Sequence, residues 1–120
     1  MESATESFVY FYMPSRYWPV PFPGPEDRLW PGYKHGSYAW TLQTYYKLRE
    51  NGIPCRLTDR IEGIQGVIIA HKDFLDETLK PGRGQLLVCI QADWGRHPYA
   101  QVHICQNAAQ ATRAGQSLFF

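Results

Sequence analysis

The chain has few cysteines and no excess of charge of either sign. Its three cysteines, Cys55, Cys89 and Cys105, are an odd number without the spacing of a disulfide framework, which favours a reducing, cytoplasmic location. Twelve basic residues stand against eleven acidic ones, giving a formal charge of +1. Proteins that bind nucleic acids carry a positive surface for the phosphates. We therefore predict that nucleic acid is not a partner.

Long apolar segments are also missing. The central apolar run, Gly66–Ala70, is far shorter than the roughly 20 residues of a membrane-spanning helix. Residues 1–7 hold two acidic residues and no basic one, which is unlike a signal peptide, and we predict a flexible N-terminus there. The sequence predicts no transmembrane segment and one domain over residues 8–120.

The sequence lacks the motifs of several enzyme classes. It contains no GxGxxG turn, no P-loop and no GxSxG elbow, so a dinucleotide site or a hydrolase of those types has no support. The four histidines do not have the close spacing of a zinc site, and the cysteines lie far apart. We predict no metal and no cofactor.

The residues that are present predict an α/β fold. Apolar runs rich in β-branched and aromatic residues predict strands at residues 8–13, 55–58, 66–70, 85–90 and 101–105, with a further strand beginning at 117–120. The spacing of apolar residues predicts a helix over Tyr38–Asn51, with Ser37 as its N-cap and Gly52 as its end. Weaker patterns predict helical turns at Phe74–Leu79 and a helix over Asn107–Gly115.

These elements favour a single Rossmann-like domain, with a mostly parallel sheet flanked by helices. The connections at residues 59–65 and 92–100 are too short for helical crossovers. Either they are extended loops, or some neighbouring strands are antiparallel. Residues 14–36 hold six of the nine prolines and form a long loop.

Ligands of open α/β sheets bind beyond the carboxyl ends of the strands, which selects candidate residues. His71 and Asp73 follow the third strand and are our candidate catalytic residues, because a carboxylate beside a histidine orients it as a base. The substrate-binding candidates are His35, Gly36, Ser37, Asp93, His97 and Asn107. The alternatives are a plain helix cap at Ser37, and exposed loop residues for the His71–Asp73 and Asp93–His97 pairs. His103 lies within a strand, which favours a hydrogen-bonded core residue.

The aromatic residues of the proline loop have three interpretations. Trp18, Phe22, Trp30 and Tyr33 could form a platform for a sugar or apolar face, or could cover the domain's own sheet. The prolines could also form a recognition segment for a partner protein.

Three segments resemble the N-terminal domain of bacterial two-domain glycosyltransferases of the B-type architecture. They are KHGSYAWTLQTYYKL at residues 34–48, GVIIAHKD at 66–73 and PYAQVHICQN at 98–107, and the resemblance extends from about Phe8 to the end. In that family the N-terminal domain mainly receives the sugar acceptor, and the C-terminal domain mainly holds the nucleotide-sugar donor. The resemblance implies that residues 35–37 and 71–73 face the cleft between the domains. The chain lacks the DxD motif of the other main architecture, so no metal is implied.

We therefore predict the acceptor-side half of a glycosyltransferase, inactive as an isolated domain, whose second domain follows Phe120. Its partners would be a sugar acceptor and a nucleotide-sugar donor bound together with that missing C-terminal domain. The alternative is a non-catalytic interaction domain that uses the proline- and aromatic-rich loop, or an unrelated small-ligand-binding α/β domain.

Overall fold

The computed structural model describes residues 8–91, 96–105 and 118–119. It contains a six-stranded sheet in which every neighbouring pair is parallel. The strands are β1 (Phe8–Tyr12), β2 (Arg56–Thr58), β3 (Gly66–His71), β4 (Gln85–Ile90), β5 (Val102–Cys105) and β6 (Leu118–Phe119). This sheet confirms the predicted α/β, Rossmann-like fold and the positions of the predicted strands.

The strand order is β2-β1-β3-β4-β5-β6, one of the common doubly wound arrangements. Since β2 and β3 both pair with β1 in parallel, residues 59–65 cross the sheet as an extended loop rather than joining antiparallel strands. β4 and β5 are also parallel neighbours, so the antiparallel alternative is wrong for this pair too; residues 92–95 of their connection lie outside the described residues. The predicted flexible residues 1–7 and the predicted helix at 107–115 also lie outside the described residues.

One long helix follows the proline loop at residues 36–50. It is α-helical at Gly36–Tyr38, π-helical at Ala39–Gln43 and α-helical again at Thr44–Glu50. Its end is a Schellman motif, in which the N–H of Ile53 donates to the carbonyl of Leu48 and that of Gly52 to Arg49. Gly52 has φ +78°, a conformation that favours glycine, so the predicted helix end is confirmed.

Two local predictions were wrong. The helix begins at Gly36 with His35 in the cap position, and Ser37 lies buried within the first turn instead of capping it. The predicted helical turns at Phe74–Leu79 are replaced by an earlier 3-10 turn, Lys72–Phe74. Leu75 ends this turn with extended backbone (φ −103°, ψ 107°), and Phe74 and Leu75 pack into different clusters of the core.

The two faces of the sheet have different covers. On the helix face, Met13, Leu42 and Phe74 are buried among aromatic side chains of the proline loop and the long helix. These aromatic residues are Tyr17, Trp18, Phe22, Trp30, Tyr33, Tyr38 and Tyr46. The packing interpretation of the aromatic loop is therefore confirmed.

On the loop face, aliphatic side chains of the strands meet those of the connections. Ile68 and Leu87 are fully buried here, together with Leu75 and Ala100 from the connections. Within the described part of the chain, this cover consists of extended connections and turns. None of the described helices is both long enough and apolar enough to cross a membrane.

Candidate functional site

The carboxyl ends of β1 and β3 mark the point where the strand order changes direction. The chain passes from β1 to β2 on one side, and from there to β3 on the other side of β1. Crevices at such switch points are the usual ligand sites of doubly wound sheets. β1 continues into the 3-10 turn Ser15–Tyr17, and β3 continues into the turn Lys72–Phe74. Since β1 and β3 are parallel neighbours, the residues that follow these two strands lie at the same edge of the sheet.

Aromatic contacts hold these two turns against the start of the long helix. The Tyr38 hydroxyl donates to the Tyr17 carbonyl at 2.6 Å. The ring of Phe74 lies 5.1 Å from that of Tyr17 and 5.7 Å from that of Tyr38, measured between centroids. The structure thus brings the predicted segments 35–37 and 71–73 together at the switch point, and we name this region the carboxyl edge.

His71 is a buried residue with only 3% of its surface exposed. Its Nδ1 accepts a hydrogen bond from the N–H of Asp73 at 3.1 Å, and lies 3.7 Å from the Asp73 Oδ2. Burial lowers the pKa of His71, while the negative charge of Asp73 acts in the opposite direction. The imidazole is therefore neutral at pH 7, and the bond to Nδ1 assigns its proton to Nε2.

Asp73 is the accessible member of this pair, because its side chain is 47% exposed. The expectation of an exposed loop residue is thus wrong for His71 and correct for Asp73. Asp73 thus presents the exposed carboxylate of the pair, while the buried His71 accepts the Asp73 backbone N–H. This arrangement suits a hydroxyl-bearing ligand, since a carboxylate accepts hydrogen bonds.

The start of the long helix supplies donors at the same edge. His35 and Gly36 are exposed, whereas Ser37 is 8% exposed. The first N–H groups of a helix have no acceptor within it, and no side chain caps this one. Together with the helix dipole, these groups favour an anionic or oxygen-rich ligand.

His97 lies on the loop face and is completely buried. Its Nε2 is 2.8 Å from the carbonyl oxygen of Asp76, and its Nδ1 accepts the N–H of Tyr99 at 3.1 Å. Its own N–H donates to Nε2 of His103, itself 1% exposed, at 2.9 Å. These bonds indicate structural roles for both histidines. Two other candidates, Asp93 and Asn107, lie outside the described residues.

Sequence reasoning did not single out Arg16, which lies at the carboxyl edge. It is exposed in the turn after β1, with its guanidinium 4.8 Å from the centre of the Tyr17 ring. The N–H and hydroxyl of Thr78 lower the pKa of Asp76, and the charge of Arg16 acts in the same direction. The signal that could have identified Arg16 was its position just after the first strand, at the start of the proline loop.

Among the described residues, no group of three or more His, Cys, Asp or Glu side chains is arranged to hold a metal ion. Comparison of the chain with protein-family models, curated proteins and solved structures gave no match. The resemblance to glycosyltransferases therefore stays a prediction.

Proposed function

We propose that the carboxyl edge receives the sugar acceptor of a glycosyltransferase whose nucleotide-sugar donor is bound together with a second domain. The observation that carries the proposal is the exposed carboxylate of Asp73 at the switch point, next to the buried imidazole of His71. A carboxylate at this edge of the sheet is the group that an acceptor hydroxyl requires, both for orientation and for loss of its proton.

In an inverting reaction, Asp73 accepts a hydrogen bond from the acceptor hydroxyl. The hydroxyl oxygen forms a bond to the anomeric carbon of the donor, and the nucleoside diphosphate leaves with the electron pair of the broken bond. The hydroxyl proton passes to the Asp73 carboxylate. The basic residue Arg16 and the N–H groups at Gly36 supply positive potential at the same edge for the departing phosphate.

His71 acts as a positioning residue in this scheme. While it is neutral, its Nδ1 accepts the Asp73 N–H and fixes the turn that presents the carboxylate. Once protonated, Nδ1 carries a hydrogen and becomes a donor to Oδ2, which lies 3.7 Å away, so it competes with the acceptor hydroxyl. Burial lowers the pKa of His71 below the ordinary histidine value of about 6.5, so acceptor binding should weaken only as the pH falls towards that lower pKa.

Calorimetric titration with the methyl glycosides of glucose, galactose, mannose and N-acetylglucosamine tests the proposal. Asp73→Asn should weaken the tightest of these complexes at least ~10-fold, because a hydrogen bond to a charged group contributes about 1.5–3 kcal/mol. Glu26→Gln is the matched control, since it neutralises another exposed carboxylate, in the proline loop, and should leave affinity unchanged. In His71→Gln the pH dependence should disappear. Equal affinities of Asp73→Asn and the wild type would refute the role of Asp73.

A second candidate function is an interaction domain that uses the proline loop. Although the aromatic residues of this loop are packed, Val20 and Leu29 are 96% and 95% exposed. These two side chains are the exposed apolar surface that an interaction through the loop would use. Replacing Val20 and Leu29 by serine should leave glycoside binding unchanged, whether the chain is an acceptor domain or an interaction domain. Retention of a partner's affinity in that double variant would exclude the interaction role of these two side chains.

A further inference from the structure

A cavity of about 510 Å³ lies between the long helix and the proline loop, and shares no lining residue with the carboxyl edge. Gln43, Tyr46 and Lys47 form its helical wall, at positions that share one side of a helix. The opposite wall comes from the proline loop. Its volume lies within the roughly 300–1,000 Å³ range of small-ligand sites.

Hydrogen bonds fix the two walls relative to each other. The Tyr46 hydroxyl donates to the Pro23 carbonyl at 2.6 Å and so joins the helix to the loop. Within the loop, Asp27 Oδ2 accepts the N–H of Gly24 at 2.7 Å, which closes a turn. The Tyr33 ring packs edge-on against Trp30, with 5.0 Å between centroids. The cavity is therefore formed before any ligand binds, which lowers the entropy cost of binding.

The charged side chains that line this cavity differ in their hydrogen bonds and ion pairs. Lys47 forms an ion pair with Glu50 at 3.4 Å, and Arg49 donates to the Cys55 carbonyl at 3.0 Å. The exposed guanidinium of Arg28 makes no hydrogen bond or ion pair within the described part of the chain. Among the charged side chains of the cavity, the one without such a bond in the described part of the chain is thus a cation, whose planar fork of donors matches a carboxylate or phosphate.

We propose that this cavity is a binding site for a small organic anion. A ring of the ligand lies against the aromatic walls of Tyr33 and Tyr46, and its phosphate or carboxylate pairs with Arg28. Aromatic side chains offer flat apolar surface for a ring, while the single disengaged cation selects the anionic group. This site is independent of the carboxyl edge and does not depend on the glycosyltransferase proposal.

Amide-shift titration by nuclear magnetic resonance, with phenyl phosphate and benzoate as probes, tests this site. We expect at least one of the two to shift the amides of residues 26–33 and 43–50. Inorganic phosphate and benzyl alcohol, which each carry one half of the recognised chemistry, should bind at least 10-fold more weakly than that probe. Failure of both probes to shift these amides, or equal binding of inorganic phosphate, would overturn the proposal.

Variants of Arg28 make the test specific. Arg28→Gln should weaken probe binding at least 10-fold, and Arg28→Lys should retain part of the affinity because it keeps the charge but loses the fork. Arg60→Gln, at an exposed arginine outside the cavity, is the matched control and should bind like the wild type. Since the Arg28 and Arg60 side chains are both exposed, these three substitutions leave the fold intact. Unchanged affinity in Arg28→Gln would contradict the proposed contact.

Discussion

On both faces of the sheet, hydrogen bonds between ring side chains and the backbone hold the irregular segments in place. The rings are tryptophan and tyrosine on the helix face and histidine on the loop face. On the helix face, Trp18, Tyr38 and Tyr46 donate to backbone carbonyls of residues 13, 17 and 23. On the loop face, the rings of His97 and His103 bond the backbone of the connections. In both places a ring with a polar atom satisfies a peptide group that a regular helix or strand would otherwise have paired.

The difference lies in how these side chains respond to pH. Burial raises the pKa of Tyr38 and of Tyr46, so both stay protonated through the physiological range. Burial lowers the pKa of His103, with the positive charge of Arg96 acting in the same direction. The proline loop should therefore be insensitive to mild acid, whereas the loop face should loosen. The following predictions test this contrast.

The largest effect should come from the aromatic packing of the helix face. Phe74 is 2% exposed and contacts the rings of Tyr17 and Tyr38. Phe74→Ala should lower the free energy of unfolding by about 3–5 kcal/mol, because it removes buried apolar surface and leaves a cavity. Urea denaturation measures this loss. Leu29→Ala, at a fully exposed side chain, should change stability by less than about 0.5 kcal/mol; a similar small loss for Phe74→Ala would show that the helix face does not depend on it.

An intermediate effect should come from the loop face. His103→Leu removes the acceptor of the His97 N–H and should lower the free energy of unfolding at pH 7.5 by about 1–3 kcal/mol. His35→Leu, at an exposed histidine, serves as the control. A stability equal to that of the wild type would mean that the bond between these two residues contributes nothing.

The same variant tests the pH contrast. Because the folded pKa of His103 is lowered, the unfolded chain binds more protons, and stability falls as the pH drops below about 6.5. This contribution is fully present above the unfolded pKa and is lost towards the lower folded pKa. Denaturation between pH 7.5 and 5 should show a shallower slope for His103→Leu than for the wild type. Parallel curves would refute the titration of His103 in this range.

The smallest effect should come from a single hydroxyl of the helix face. Tyr46→Phe removes the hydrogen bond to the Pro23 carbonyl and should cost about 0.5–1.5 kcal/mol. Since Tyr46 does not titrate in this range, the loss should be the same at pH 7.5 and pH 5. A loss of unfolding free energy that was larger at pH 5 than at pH 7.5 would contradict the predicted difference between the two faces.

The sequence predicted the strands and the long helix because local patterns determine them. Runs such as Gly66–His71 are continuous, apolar and β-branched, as expected for strands buried in a parallel sheet. The end of the helix followed from Gly52, whose left-handed backbone completes the Schellman motif. These features need no knowledge of distant contacts.

Tertiary contacts decided what the sequence could not predict. Ser37 is a good N-cap by residue type, yet packing of the helix start against Lys72–Phe74 buries it within the first turn. Phe74 and Leu75 form part of an apolar pattern, but they are divided between the two faces. For the candidate site, the rule that ligands bind beyond the carboxyl ends of the strands selected His71 and Asp73. Their unequal exposure depends on the completed fold.

The most direct test of the carboxyl edge is a map of backbone amide shifts during titration with the same four methyl glycosides. We predict that at least one glycoside shifts the amides of Ser15, Gly36, Lys72 and Asp73, which come from three segments that meet only in the folded sheet. Those shifts should vanish in Asp73→Asn. Shifts confined to the cavity between the long helix and the proline loop, or absent for all four glycosides, would contradict an acceptor site at the carboxyl edge.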